Sequence, residues 1–239
     1  SDVPQVTLNE AGCELLRPKT LFCDPMCEGG QTCGDDGSCV PLPSNQDVGV
    51  VTITGLTAPV EMTARAPVFY YNHVGALPHP AFAHGQQIDL SSSTGLSVAS
   101  TGVAALEVST ENFALEPDQS ASLDWVAAPS NQAVGMEIEL NIANHGGTPA
   151  RVVCHTQDSG HFEIPAAMVN ALLELGYSGF PSVALTRAAS NTTQSDMGCI
   201  EFRAQSTVVL DVAIDGLVSC SDSDDCPEGQ TCQADLTCA

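Results

Sequence analysis

The segment from Cys154 to Pro165 (CHTQDSGHFEIP) brings the residue types of a catalytic set together, with His155, Asp158, Ser159 and His161 within seven residues. A histidine base, a serine nucleophile and an orienting carboxylate are the parts of acyl-transfer chemistry. A working triad, however, is assembled in space, and its members are rarely adjacent along the chain. Asp-Ser-Gly is also turn chemistry. The segment therefore reads first as a polar turn leading into a short strand and a helix, and no catalytic residue is assigned. A secreted metal-dependent or Ser/His-type hydrolase using the 155–161 loop is kept as the alternative.

Metal ligation is the second chemistry to weigh. His73, His79 and His84 lie in the Pro-rich stretch NHVGALPHPAFAHG, and His145, His155 and His161 lie further on. Three imidazoles bind copper or zinc if they converge, but these spacings match no strand or helix site. Calcium requires six to eight oxygens. SDSDDCPEG supplies Asp222, Asp224, Asp225 and Glu228, and GDDGS supplies a smaller acidic turn. Neither matches an EF-hand loop. The metal candidates are thus Asp222, Asp224, Asp225, Glu228, His73, His79 and His84. No cofactor is required, and Ca²⁺ is the ion to test. Asn191-Thr192-Thr193 is a glycosylation sequon. Trp125, the single Trp, reads as a core anchor.

Positioning these loops falls to the cysteines and the strands. The chain has 11 Cys, a density that belongs to an oxidising compartment. The pairs lack zinc-ribbon spacing, and His is scarce beside them. CDPMCEGGQTCGDDGSC (Cys23 to Cys39) aligns with CSDSDDCPEGQTCQADLTC (Cys220 to Cys238), an internal repeat sharing C-x5-C-x5-C. Segments this short build no apolar core, so cross-links must replace it. Four cysteines allow three connectivities. The interleaved one is expected: Cys23–Cys33, Cys27–Cys39, Cys220–Cys232 and Cys226–Cys238. Cys154 and Cys199 remain to bridge the middle region, and Cys13 is left unpaired or intermolecular.

Between these segments the sequence reads as β structure. VGVVTIT (Val48 to Thr54) and STVVLDVAID (Ser206 to Asp215) are rich in β-branched residues. VGMEIELNIA (Val134 to Ala143) and CIEFRA (Cys199 to Ala204) alternate apolar and polar residues, which places one face on a core and the other in water. Shorter candidates are PVFYYNHV, QIDL, LSVAS, ALEVST, SLDWVA, ARVVCHT and SVALTR. One helix is expected over PAAMVNALLELG, with Pro165 in its first turn and Gly176 beyond its end. The expected fold is mainly β: a two-sheet β-sandwich, immunoglobulin-like or jelly-roll-like, with one short helix and disulfide-rich segments at both termini. Its divisions are a cysteine-rich segment 1–47, a sandwich 48–217 and a cysteine-rich segment 218–239.

Charge narrows the partners. The formal net charge is −23, with Lys+Arg 6 against Asp+Glu 29. A nucleic-acid binder needs clustered cations to neutralise phosphate, so nucleic acid is excluded as a partner. No apolar run is long enough for a transmembrane helix. The chain opens Ser-Asp-Val-Pro, without a signal-peptide pattern, so any leader is expected to have been removed; a lipid anchor upstream of Ser1 is compatible with this.

The terminal C-x5-C-P-x-G-x-x-C-x5-C segment, TGLTAPVEM, LDWVAAP, and C-x3-D-S-G-x-F-x-I-P before a helix together resemble uncharacterised exported or lipid-anchored surface proteins of myxobacteria and related deltaproteobacteria. The terminal segments are similar to small Dickkopf or EGF-like disulfide modules. The resemblance implies localisation and fold and transfers no catalytic residue. The expectation is a secreted or cell-surface, non-enzymatic module for binding, adhesion or structure. Its partner is a protein or surface ligand, or a second copy in a self-assembling filament, since matching terminal knots allow head-to-tail contact.

Overall fold

In the computed structural model the described residues are 2–129, 134–143 and 149–239. An N-terminal hairpin, β1 (Asp2–Glu10) and β2 (Cys13–Thr20), leads into the first knot, which holds β3 (Gln31–Cys33) and β4 (Cys39–Pro41). A four-stranded antiparallel sheet follows, from β5 (Val50–Thr54), β6 (Val60–Thr63), β7 (Gln87–Ser92) and β8 (Ser97–Thr101), in the order β6-β5-β7-β8. Then come β9 (Phe113–Leu115), β10 (Ala121–Asp124), β11 (Gly135–Asn141), β12 (Arg151–Gln157) and β13 (His161–Ile164). The helix α1 (Ala166–Leu173) precedes a long hairpin, β14 (Ser182–Ser195) and β15 (Gly198–Ile214). The described residues are mainly β, in several sheets with one α-helix, as expected.

The large sheet runs β1-β2-β12-β11-β14-β15-β9. Alternation decides its faces. In β11, Met136, Ile138 and Leu140 are buried while Glu137 and Glu139 point outward. Val152 and Cys154 of β12, Val183 and Leu185 of β14 and Leu15 of β2 share the buried face. The opposing layer is made by the two-strand ribbon β10–β13 and the helix, through Leu123, Ile164, Met168, Val169 and Leu172, with Phe113 and Leu115 of the edge strand β9 packed into the same core. Burying side chains of this size from both layers is the main force holding them together. Asn170 fixes the helix further by exchanging hydrogen bonds with Asp118, at 2.9 and 3.0 Å. The smaller sheet has its own buried set, Val51, Val60, Ile88 and Val98, and leans on the hairpin through Ser100 Oγ, which donates to the Ala189 carbonyl at 2.9 Å.

The interleaved pairing of both knots is present: Cys23–Cys33, Cys27–Cys39, Cys220–Cys232 and Cys226–Cys238. The fifth bridge corrects the expectation. Cys154 is bonded to Cys13, not to Cys199, and Cys199 is the free, exposed thiol. The reason is strand order. β2 inserts beside β12 with Cys13 directly opposite Cys154, and both are fully buried. Cys199 instead faces Gln194 at the far end of the β14–β15 hairpin. The segment 1–47 therefore contributes two strands to the large sheet before its knot begins. A second difference concerns PVFYYNHV. It is not a strand but part of the connection 64–86 between β6 and β7, where Phe69 has a positive φ of 46° and the prolines remove ladder donors.

Candidate functional site

Asp158 leaves the end of β12 and turns inward. Arg187 occupies the core phase of β14, in step with Val183 and Leu185, and is 1% exposed. Its Nε donates to Asp158 Oδ2 at 2.7 Å and its Nη2 to Oδ1 at 3.2 Å. Nη2 also donates to the Val126 carbonyl at 2.5 Å, and Nη1 to the carbonyls of Ala104 and Ala105 at 3.3 and 2.9 Å. Each of the five guanidinium N–H groups thus has an acceptor. Asp158 is equally occupied, since Trp125 Nε1 donates to Oδ1 at 2.7 Å and the Ala128 amide to Oδ2 at 3.1 Å. Burial pushes the Asp158 carboxyl upward. The hydrogen bonds from Arg187, Trp125 and Ala128, with the guanidinium charge, outweigh that, and its pKa is lowered. The arrangement ties three connecting segments to one strand and leaves the carboxylate no lone pair turned toward an incoming substrate.

The other members of the 155–161 set do not converge on Asp158. His155 is on the outer face of the large sheet, lining a shallow pocket of about 340 Å³ with Glu137, Glu201 and Arg203. Arg203 there pairs with Glu137 at 3.3 Å. His161 Nδ1 meets Asp124 at 2.8 Å on an exposed edge. Ser159 Oγ donates to the His161 carbonyl at 2.8 Å, which closes the turn. Trp125 is buried, as a core anchor should be.

The metal candidates also take other positions. Asp222 Oδ1 accepts from the Asp224 amide at 2.8 Å, and Asp225 Oδ2 accepts from the Ser221 and Asp222 amides at 2.7 and 3.3 Å. These carboxylates cap the short 3₁₀ turn Ser223–Asp225. Asp224 and Glu228 are exposed on the same knot. His73, His79 and His84 are exposed along the 64–86 connection, and His145 lies outside the described residues. Among the described residues, the groups of three His, Cys, Asp or Glu ligand atoms within 4.8 Å are two sets of knot cysteines, Cys23, Cys27 and Cys39, and Cys220, Cys226 and Cys238. All six are in disulfides, which removes the thiolate a metal would bind. No helix of the described residues is long and apolar enough to cross a membrane.

Two signals in the sequence point to features that motif reading passed over. SVALTR places an arginine in the apolar phase of a strand, and a buried arginine demands a partner. From Met62 to Ile88 there is no Asp or Glu, the longest such run in a chain with 29 of them. That run coincides with the 64–86 connection, where Val68, Tyr70, Val74 and Leu77 are exposed. Large apolar side chains are exposed on the first knot as well, at Phe22 and Met26.

No protein-family model matches the chain, and no curated protein matches it in sequence.

Proposed function

We propose that this chain is an exported module, secreted or held at the cell surface, that acts by contact with a macromolecule and not by turnover. One observation carries the reading. The most promising catalytic carboxylate, Asp158, is saturated by Arg187, Trp125 and Ala128, while large apolar side chains stand in water on the first knot and on the 64–86 connection. Several large apolar side chains exposed within one short segment of a strongly acidic protein support an interaction surface there. Five disulfides support the extracellular setting. They also support the similarity to surface proteins carrying small disulfide modules, and the partner in this reading includes a second copy of the chain. The test is a panel of peptidase, esterase and glycosidase substrates with the wild type and His161→Ala. No turnover is expected from either. Turnover abolished by His161→Ala, with the fold intact, would refute the reading and restore the hydrolase.

A further inference from the structure

The two knots share the C-x5-C-x5-C spacing and the interleaved pairing but present different surfaces. The C-terminal knot is docked. Cys220 is 1% exposed, Ser219 Oγ donates to the Gly179 carbonyl, and the Cys238 amide donates to the Val218 carbonyl at 2.9 Å. Its turn bears Asp224 and Asp225 in water. The N-terminal knot instead exposes Phe22 at 81% and Met26 at 85%, with Val40 and Leu42 exposed nearby. The same segment carries Asp24, Glu28, Asp35 and Asp36, with no Lys or Arg between Leu21 and Leu42. Exposed apolar side chains thus share a short acidic segment cross-linked by two disulfides.

The 64–86 connection has the complementary character. It is long for a segment without strand or helix, and such segments are commonly functional. It is held in place at several points. The Tyr71 hydroxyl accepts from the Val48 amide at 2.8 Å, and the Thr57 amide and hydroxyl both donate to the Ala81 carbonyl, at 2.8 and 2.6 Å. The Arg65 amide donates to the Tyr70 carbonyl at 3.1 Å, with the Arg65 guanidinium over the Tyr70 ring at 5.9 Å. Between these points Val74 is 74% exposed, with Val68, Tyr70 and Leu77. The flanking charge is Arg65 and the titratable groups His73, His79 and His84, with no acid from Met62 to Ile88.

We infer that the N-terminal knot of one copy docks on the 64–86 connection of another. Phe22 and Met26 meet the Val68, Tyr70, Val74 and Leu77 surface, and the knot's acids face the longest stretch of the chain free of acids. Charge complementarity favours this pairing, because the 64–86 connection carries Arg65 and no acid in a chain of net charge −23. The contact is heterologous, so each copy keeps one free knot and one free connection, and assembly continues as an open filament or closes as a ring. The inference rests on the second-copy form of the proposed function.

The test uses two exposed-surface variants of the full chain. One is Phe22→Ala with Met26→Ala, and the other is Val74→Asp with Leu77→Asp. Each is checked by intact mass for five disulfides and by circular dichroism for the wild-type fold, then run by sedimentation velocity over a concentration series. The wild type is expected to form oligomers, and each variant to weaken that association at least tenfold, as loss of central apolar anchors does. An equimolar mixture of the two variants is expected to stop at a one-to-one dimer, because only one intact knot and one intact connection meet. Wild type that stays monomeric up to its solubility limit overturns the inference. Wild type that assembles while both variants assemble equally overturns it too, though a second copy then remains the partner. Variants that both fail but do not complement each other exclude the heterologous contact.

Discussion

Removing the Asp158 carboxylate should unfold this protein at a much lower temperature without touching any surface. In Asp158→Ala the Arg187 guanidinium stays 1% exposed and loses its counter-charge. Breaking a buried pair from one side typically costs about 3–5 kcal/mol. The orphaned Trp125 Nε1–H and Ala128 amide place the expected loss toward the upper half, at about 4 kcal/mol. At roughly 2–4 °C per kcal/mol for a chain of this size, the Tm falls by about 8–16 °C. The assay is thermal unfolding of the disulfide-intact protein, followed by circular dichroism and by fluorescence of Trp125, which touches the carboxylate itself. Asp158→Leu combined with Arg187→Met should lose less than the sum of the two single changes, with a coupling of about 2–3 kcal/mol. A Tm within about 2 °C of wild type for Asp158→Ala, or strict additivity in the cycle, would refute the view that this pair locks the loops.

The same pair makes stability pH-dependent. Because the Asp158 pKa is lowered in the fold, its contribution is complete above the ordinary aspartate value of about 3.9 and is lost as pH falls below it toward the folded value. Urea midpoints should hold steady from neutral pH to about pH 4 and then drop, and Asp158→Asn should show a shallower acid limb. His161→Ala removes only an exposed pair with Asp124 and should change stability by less than about 1 kcal/mol, measured in the same titrations. Alkylating the native, unreduced protein should label one thiol per chain, mapped by peptide mass to Cys199 and not Cys13. Cys13→Ser with Cys154→Ser should cost about 2–5 kcal/mol in denaturant unfolding, against no measurable loss for Cys199→Ser. Asp225→Ala should speed amide exchange at Ser221 and Asp222, whose N–H groups its carboxylate accepts, while the large sheet exchanges as before.

The features legible in the sequence are those written by near neighbours. Alternation in GMEIELN predicted which side of β11 meets the core, and Met136, Ile138 and Leu140 are buried there. Pro165 and Gly176 bracketed the helix, which spans Ala166–Leu173. The candidate site was legible only as a cluster of types. That His155 and Asp158 go to different faces follows from the pleat and the turn that ends β12, and the pairing of Arg187 with Asp158 is not legible in local sequence because the two are 29 residues apart.

What the sequence by itself determined is the β character, the helix, the odd thiol count and the grouping of the knot cysteines into two sets of four, whose interleaved bridges the structure then selected from three connectivities. Those bridges span separations of 10 and 12 residues, where chain connectivity leaves few geometries to choose from. Tertiary structure alone decided that Cys13 meets Cys154 across a separation of 141 residues, and that the thiol left over is therefore Cys199. Periodicity states which face of a strand is buried, but it carries no information about which strand lies beside it. That choice is made by burying all the apolar faces at once, and the fifth disulfide and the Asp158–Arg187 lock both depend on it.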